Sequence, residues 1–113
     1  MAQTNTVNNI VTRLLTLDPY RIVLFGSHAM DREHLESDVD LLVILDSEII
    51  SQTYEERIDK KISARHCIEE INKEIPIDLL VYTRAEYEYL LHQGVSFLNE
   101  IEKSGKTVYE KTG

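Results

Sequence analysis

The sequence has little cysteine and no long apolar run. Cys67 is the only cysteine in 113 residues, which excludes an internal disulfide or a multi-cysteine zinc site and fits a reducing compartment. The longest apolar run is Leu41 to Leu45, whereas a membrane helix needs roughly 20 such residues. The first ten residues, MAQTNTVNNI, lack the basic and apolar regions of a signal peptide. We therefore expect a cytoplasmic protein without a membrane partner.

Basic residues are also scarce. The chain has 12 Lys and Arg against 20 Asp and Glu, a net charge of -8, so it lacks the cationic surface that binds a nucleic-acid backbone. Five of the acids lie between Asp31 and Asp40, where Arg32 is the only base. Half of the excess negative charge therefore falls in ten residues, and a nucleotide bound here must bring its own counter-ions.

Internal repeats, low-complexity segments and Gly/Ser linkers are absent, so we expect residues 1–113 to form one α/β domain around a single small sheet. Apolar periodicity and turn residues predict both kinds of element. Helices are predicted over 8–17, 53–75, 84–92 and 96–104, with a short one at 28–30, and strands over 21–25, 38–45 and 77–82, with an extended piece over 106–109.

Carboxylates stand at the beginning of two predicted strands. Asp38 and Asp40 alternate with Val39 at the start of the second predicted strand, whose remainder is predicted to be buried on both faces, and Asp78 lies near the beginning of the third. Because side chains alternate along a strand, Asp38 and Asp40 should project to one side. If the two strands are neighbours, Asp78 can join them on that face.

Three converging carboxylates would repel one another, and the pKa of at least one would rise unless cations offset the charge. Oxygen ligands of this kind suit Mg²⁺ or Mn²⁺, and two such ions can clamp the attacking and leaving oxygens of a phosphoryl displacement. The sequence therefore predicts a two-metal site at Asp38, Asp40 and Asp78.

Gly26-Ser27 follows the first predicted strand and precedes a short helix. Glycine allows close backbone approach, and the helix N-terminus with the Ser27 hydroxyl offers donors to phosphate oxygens. Taken alone, each feature has a plainer interpretation: Gly-Ser as a turn with a helix cap, Asp-x-Asp as a turn, and Asp78 as an exposed edge residue. Their combination favours a nucleotide-phosphate site.

Gly26-Ser27, ten residues, Asp38-Val39-Asp40 and a later Asp78 together resemble the DNA polymerase beta-like nucleotidyltransferase superfamily. The resemblance covers Tyr20 to Tyr82, and the short chain is similar to the minimal nucleotidyltransferases, notably the MntA-type antitoxins encoded beside a HEPN-domain toxin. It implies a small mixed sheet flanked by helices.

The resemblance also implies roles for individual residues. Asp38, Asp40 and Asp78 would hold two Mg²⁺ ions and carry catalysis, while Gly26 and Ser27 would hold the triphosphate of ATP. The chain departs from the pattern after Gly-Ser, where relatives often carry arginines. Here His28 and Met30 follow, and Arg32 is the nearest permanent cation.

Three functions are open. The first, implied by the resemblance, is AMP transfer from ATP to a hydroxyl group, a tyrosine, on a cognate HEPN-type RNase toxin, which would make the chain an antitoxin. The second is nucleotidyl transfer to a small hydroxylated molecule such as an aminoglycoside. The third is neutralisation of a toxin by contact alone. A core of this size has little surface for a small-molecule acceptor pocket, which favours a protein acceptor.

Overall fold

The computed structural model describes residues 2–26 and 39–112, and within them helices alternate with strands. Ser27, His28, Arg32 and Asp38 lie outside the described residues. The elements are α1 (Ala2–Leu14) with a 3₁₀ turn (Leu15–Leu17), β1 (Pro19–Phe25), β2 (Val39–Leu45), α2 (Tyr54–Cys67), α3 (Glu69–Asn72), β3 (Ile77–Thr83), α4 (Arg84–His92), α5 (Ser96–Ser104) and β4 (Lys106–Glu110).

The four strands form one mixed sheet in the order β3-β2-β1-β4. β1 pairs antiparallel with β2 and with β4, whereas β2 and β3 are parallel. A parallel pair needs a long crossover connection, and α2 and α3 provide it between β2 and β3. The predicted α/β class with a small mixed sheet flanked by helices is confirmed.

Strand β2 is buried on both faces, as its apolar run predicted. Leu41, Leu42, Val43 and Ile44 are each at most 1% exposed. Leu41 and Val43 belong to a cluster with residues of α1, α2 and β3, and Leu42 and Ile44 belong to a second cluster with residues of α4 and α5. Helices therefore cover both faces of the sheet, and the core lies in two layers around β2.

The structure interrupts the long helix that the sequence predicted over 53–75. Helix α2 ends at Cys67, and Ile68 leaves the helical conformation with φ -110° and ψ 13°. Ile68 is fully buried in the first cluster, and α3 begins immediately after it. Apolar residues of α2 and α3 pack on the same side of the sheet, so the amphipathic periodicity continues across the break. The periodicity alone therefore did not reveal the interruption at Ile68.

The remaining predicted elements within the described residues are present, although α1 begins at Ala2, six residues before the predicted start at Asn8. The short helix predicted over 28–30 lies outside the described residues. Helices α4 and α5 have the predicted ends, and the extended piece near the C-terminus pairs with β1 as β4. Strand β1 begins at Pro19, two residues earlier than predicted, at a strand position that proline tolerates. Within the described ranges, none of the helices combines the length and apolar character that crossing a membrane requires.

Helix α4 begins at a capping box. The Thr83 hydroxyl accepts from the Glu86 N–H, and the Glu86 carboxylate accepts from the Thr83 N–H at 2.9 Å. Glu86 also accepts from the Ser51 N–H at 2.6 Å. Burial alone would raise the pKa of Glu86, but these hydrogen bonds and the charge of Lys60 outweigh burial and lower its pKa. Glu86 thus joins the loop after β2 to α4 in its ionised form.

We expect Glu86→Ala to lower the free energy of unfolding at pH 7 by about 1–3 kcal/mol, because it leaves two N–H groups without their acceptor. A lowered pKa means that the ionised form stabilises the fold above the unfolded-state pKa of about 4.3, and this stabilisation fades as the pH falls below it. Urea unfolding at pH 7 and near pH 3 measures both effects. Glu88→Ala, an exposed acid on the same helix, should cost little, and an equal loss in both variants would contradict the assignment.

Candidate functional site

Asp40 and Asp78 are direct partners in the parallel pairing of β2 with β3. Partners in a parallel pair project to the same face, and neighbouring strands lie about 4.8 Å apart. Each carboxylate belongs to the second residue of its strand. The structure therefore brings these two predicted site residues together at one end of the sheet, because the two strands are neighbours.

Two hydrogen bonds outside the strand ladder help to fix this alignment. The Val39 N–H donates to the Pro76 carbonyl oxygen at 3.0 Å. The Ile77 N–H donates to the Asn72 side-chain oxygen, also at 3.0 Å. Each donor belongs to the first residue of its strand, so both strands are held where the acidic residues begin. A slip of one residue would turn one carboxylate to the opposite face.

The faces agree with the predicted alternation of side chains. Val39 is 2% exposed and packs in the cluster on the α1 and α2 side. Asp40 projects to the other face and is half-buried, whereas Asp78 is exposed. Within the described part of the chain, the Asp78 carboxylate has no hydrogen bond or ion pair. It is therefore accessible to a ligand from solvent.

Gly26 ends β1 beside the Asp40 carboxylate. The strand pairing places Phe25 opposite Asp40, and Gly26 follows with φ +78°, a conformation that favours glycine. A Cβ at residue 26 would collide with Asp40 Oδ2 and lie 3.3 Å from Asp40 Cγ. The carboxylate thus lies in the space that a side chain at residue 26 would need. The phosphate seat predicted for Gly26-Ser27 stays a prediction.

The chemistry of the described residues fits a hard divalent cation. Asp40 and Asp78 offer carboxylate oxygens from adjacent strands, the donors that Mg²⁺ and Mn²⁺ prefer. Asp38 and Ser27, the other predicted participants, lie outside the described residues. Among residues 2–26 and 39–112 no group of three or more metal-ligating side chains is present, so the described part of the chain supplies two of the three predicted carboxylates.

Two grooves lie toward the other end of β2, which spans roughly 20 Å. One, of about 310 Å³, includes Ile50, Tyr54 and Tyr89 in its lining. The second, of about 330 Å³, includes Tyr87 and Glu102. The Tyr87 hydroxyl donates to Glu102, and burial together with this hydrogen bond raises the pKa of Tyr87. Neither groove contains Asp40 or Asp78.

Tyr87 and Tyr89 of α4 and Tyr109 of β4 have two possible roles, as interface anchors or as packing residues. Tyr87 is 4% exposed and packs against the sheet, whereas Tyr89 is 57% exposed. Tyr109 is half-buried beside the first cluster. The packing interpretation is therefore confirmed for Tyr87.

Comparison with known proteins agrees with this geometry. The family described as "Polymerase beta, Nucleotidyltransferase" matches residues 8–112. A search of curated proteins finds no match. A solved structure described as "Crystal structure of the toxin-antitoxin with AMP-PNP" superposes with a TM-score of 0.53 at 17% identity, covering 93% of this chain and 73% of the other. At this identity the likeness shows the fold alone.

Because Gly26 lies against the Asp40 carboxylate, the stability cost of a side chain at residue 26 should depend on the side chain at residue 40. Gly26 and Gly94 have nearly equal positive φ angles, but a Cβ at Gly94 would meet nothing within 4 Å. Gly94→Ala should therefore cost only the left-handed strain, about 1–2 kcal/mol. Gly26→Ala should cost at least about 1 kcal/mol more, because the new methyl group overlaps the carboxylate.

A double-mutant cycle measured by urea unfolding isolates that excess. We expect it to disappear in an Asp40→Ala background, where the carboxylate is gone. Equal costs for Gly26→Ala and Gly94→Ala in the wild-type background would contradict the close approach.

Proposed function

Because this chain belongs to the polymerase beta nucleotidyltransferase family, we propose that it transfers AMP from ATP to a hydroxyl group of a partner protein. The observation that carries the proposal is the direct pairing of Asp40 with Asp78 beside the Gly26 turn. Family membership gives the reaction class. The paired carboxylates are ligands for the divalent cations that would offset the negative charge of the phosphates in such a reaction.

The proposed site consists of Asp38, Asp40 and Asp78 as metal ligands and Gly26 with Ser27 as the triphosphate seat. Two Mg²⁺ ions, or Mn²⁺, would offset the charge of the leaving pyrophosphate and favour the ionised acceptor oxygen. The three carboxylates would hold these ions from adjacent strands. The missing Cβ at Gly26 leaves room for the Asp40 carboxylate beside the turn that would seat the triphosphate.

The proposed transfer forms one bond and breaks one. The acceptor hydroxyl oxygen bonds to the α-phosphorus of ATP, the bond from that phosphorus to the bridging oxygen of the β-phosphate breaks, and pyrophosphate leaves. Asp78 would take the hydroxyl proton at a carboxylate oxygen before it passes to solvent, a role supported by the exposure of this carboxylate and its lack of a partner within the described part of the chain. Asp40, half-buried against Gly26, orients the reacting phosphate.

For the acceptor we propose a tyrosine of a cognate HEPN-type RNase toxin, so that the chain acts as an antitoxin. Two observations support this choice. The sequence resembles antitoxins of that type, and a protein with the same fold has been solved as a toxin-antitoxin with AMP-PNP, an ATP analogue. A net charge of -8 also favours encounter with a basic partner such as an RNA-binding toxin.

We expect Asp40→Asn and Asp78→Asn each to lower transfer at least about 100-fold, because loss of groups that merely orient metal ligands already costs 10–100-fold. The assay mixes the chain with the protein encoded by the adjacent gene, Mg²⁺ and α-labelled ATP, and follows label on the partner. Asp59→Asn, an exposed acid on α2, is the matched control and should transfer normally. EDTA should abolish labelling, and added Mg²⁺ should restore it. Unlabelled partner with wild-type chain would refute the proposal.

Protection of cells separates catalysis from neutralisation by contact. We expect the Asp38→Asn, Asp40→Asn double variant to bind the toxin but to lose protection, because the toxin then keeps its free hydroxyl. The measurement is survival of cells that express the toxin with either antitoxin form, alongside co-purification of the pair. Full protection by the double variant would show that contact is sufficient.

A further inference from the structure

Phe97 is an exposed aromatic residue that belongs to neither buried cluster. It lies in the first turn of α5, a helix that buries Leu98 and Ile101, whereas Phe97 itself is 54% exposed. A single exposed apolar side chain is ordinary. The position of Phe97 relative to the acidic pair makes it informative.

One ring contact links Phe97 to that pair. Phe97 packs edge-to-face on Phe25, with ring centroids 5.8 Å apart and an interplanar angle of 86°. Phe25 is the strand partner of Asp40, so the two side chains project to the same face of the sheet. Across this face the order is Asp78, Asp40, Phe25, with the Phe97 ring against Phe25. Phe97 therefore lies on the β1 side of the site, which is also the side of Gly26.

We propose that Phe97 is the platform on which the base of the bound nucleoside triphosphate stacks. This inference rests on the proposed function. The base of a triphosphate held at Gly26 would lie one ribose beyond the α-phosphate, and the Phe97 ring packs on Phe25, the residue that precedes Gly26. The acceptor hydroxyl belongs on the opposite side, near Asp78. Phe25 braces the ring of Phe97 through an edge-to-face contact, a favoured aromatic geometry, and more than half of the Phe97 side chain stays open to a ligand.

Stacking has a defined consequence for specificity. Every base presents a π-face, so a stacking platform adds affinity without identifying the base. Phe97 therefore contributes to binding of ATP and GTP alike, and any preference for adenine comes from other groups. Loss of one base–aromatic stack weakens binding by about 5- to 150-fold.

The test compares two probes of the full chain in the presence of Mg²⁺: ATP, and inorganic tripolyphosphate, which has no base. We expect Phe97→Ala to raise the Kd of ATP by about 5- to 150-fold and to leave the Kd of tripolyphosphate unchanged, both measured by titration calorimetry. GTP should lose affinity by a similar factor. Phe97→Tyr should restore ATP binding, because it keeps the ring.

Tyr89→Ala is the matched control. Tyr89 is exposed to a similar extent, 57%, and borders the groove toward the other end of β2, so its removal should not affect either probe. Leu98 and Ile101 continue to anchor α5 in the Phe97 variants, and thermal unfolding checks that the fold is intact.

Three results would overturn the inference while leaving the proposed function standing. The first is wild-type ATP affinity in Phe97→Ala. The second is an equal loss for ATP and tripolyphosphate, which would assign the ring to support of the phosphate seat. The third is an unchanged ATP Kd with a raised KM for the acceptor protein, which would assign the ring to the acceptor. A wild-type chain that binds neither probe would instead refute the proposed function and this inference with it.

Discussion

The candidate site depends on the parallel pairing of β2 with β3. Only this pairing, in this register, sets Asp40 beside Asp78 on one face. Like charges on neighbouring strands are unfavourable, so the fold gains no stability from the arrangement itself. The surrounding structure maintains it: apolar side chains beyond Asp40 on β2 bury both faces of that strand, and backbone hydrogen bonds hold the first residues of both strands. The buried apolar residues and backbone hydrogen bonds of β2 and β3 thus hold the two acidic side chains next to each other despite their repulsion.

The face of the sheet that carries Asp40 and Asp78 is acidic at the start of β2 and β3 and apolar farther along both strands. Beyond Asp40 and Asp78, residues Leu42 and Leu80 project to that face and join the apolar cluster under α4 and α5. The carboxylates stand just outside this cluster, where one is half-buried and the other is exposed. Their charge is therefore available to a cation, while the adjoining apolar layer fixes their backbone. Gly26 completes the arrangement, because its missing side chain leaves room for the Asp40 carboxylate.

Much of the fold was readable from local patterns. The apolar run of β2 predicted burial on both faces, and prolines and glycines marked the ends of several elements. Asp40 and Asp78 were identified from the sequence because each departs from its strand's apolar pattern. The sequence could not show that Asp40 and Asp78 are partners, because their pairing depends on the order of the strands in the sheet. It also depends on hydrogen bonds such as that from the Val39 N–H to the Pro76 carbonyl oxygen, which local sequence periodicity does not reveal. The Phe25–Phe97 contact was missed for the same reason, because it joins residues 72 positions apart.

The proposed site requires Asp40 and Asp78 to share at least one of the two divalent cations as a ligand. A crystal structure of the chain with Mn²⁺ and a non-hydrolysable ATP analogue tests it most directly, because anomalous scattering locates the metal independently of the protein. We expect an anomalous peak within about 2.5 Å of a carboxylate oxygen of both residues. A peak that lies away from either carboxylate, with the two side chains turned apart, would contradict the account.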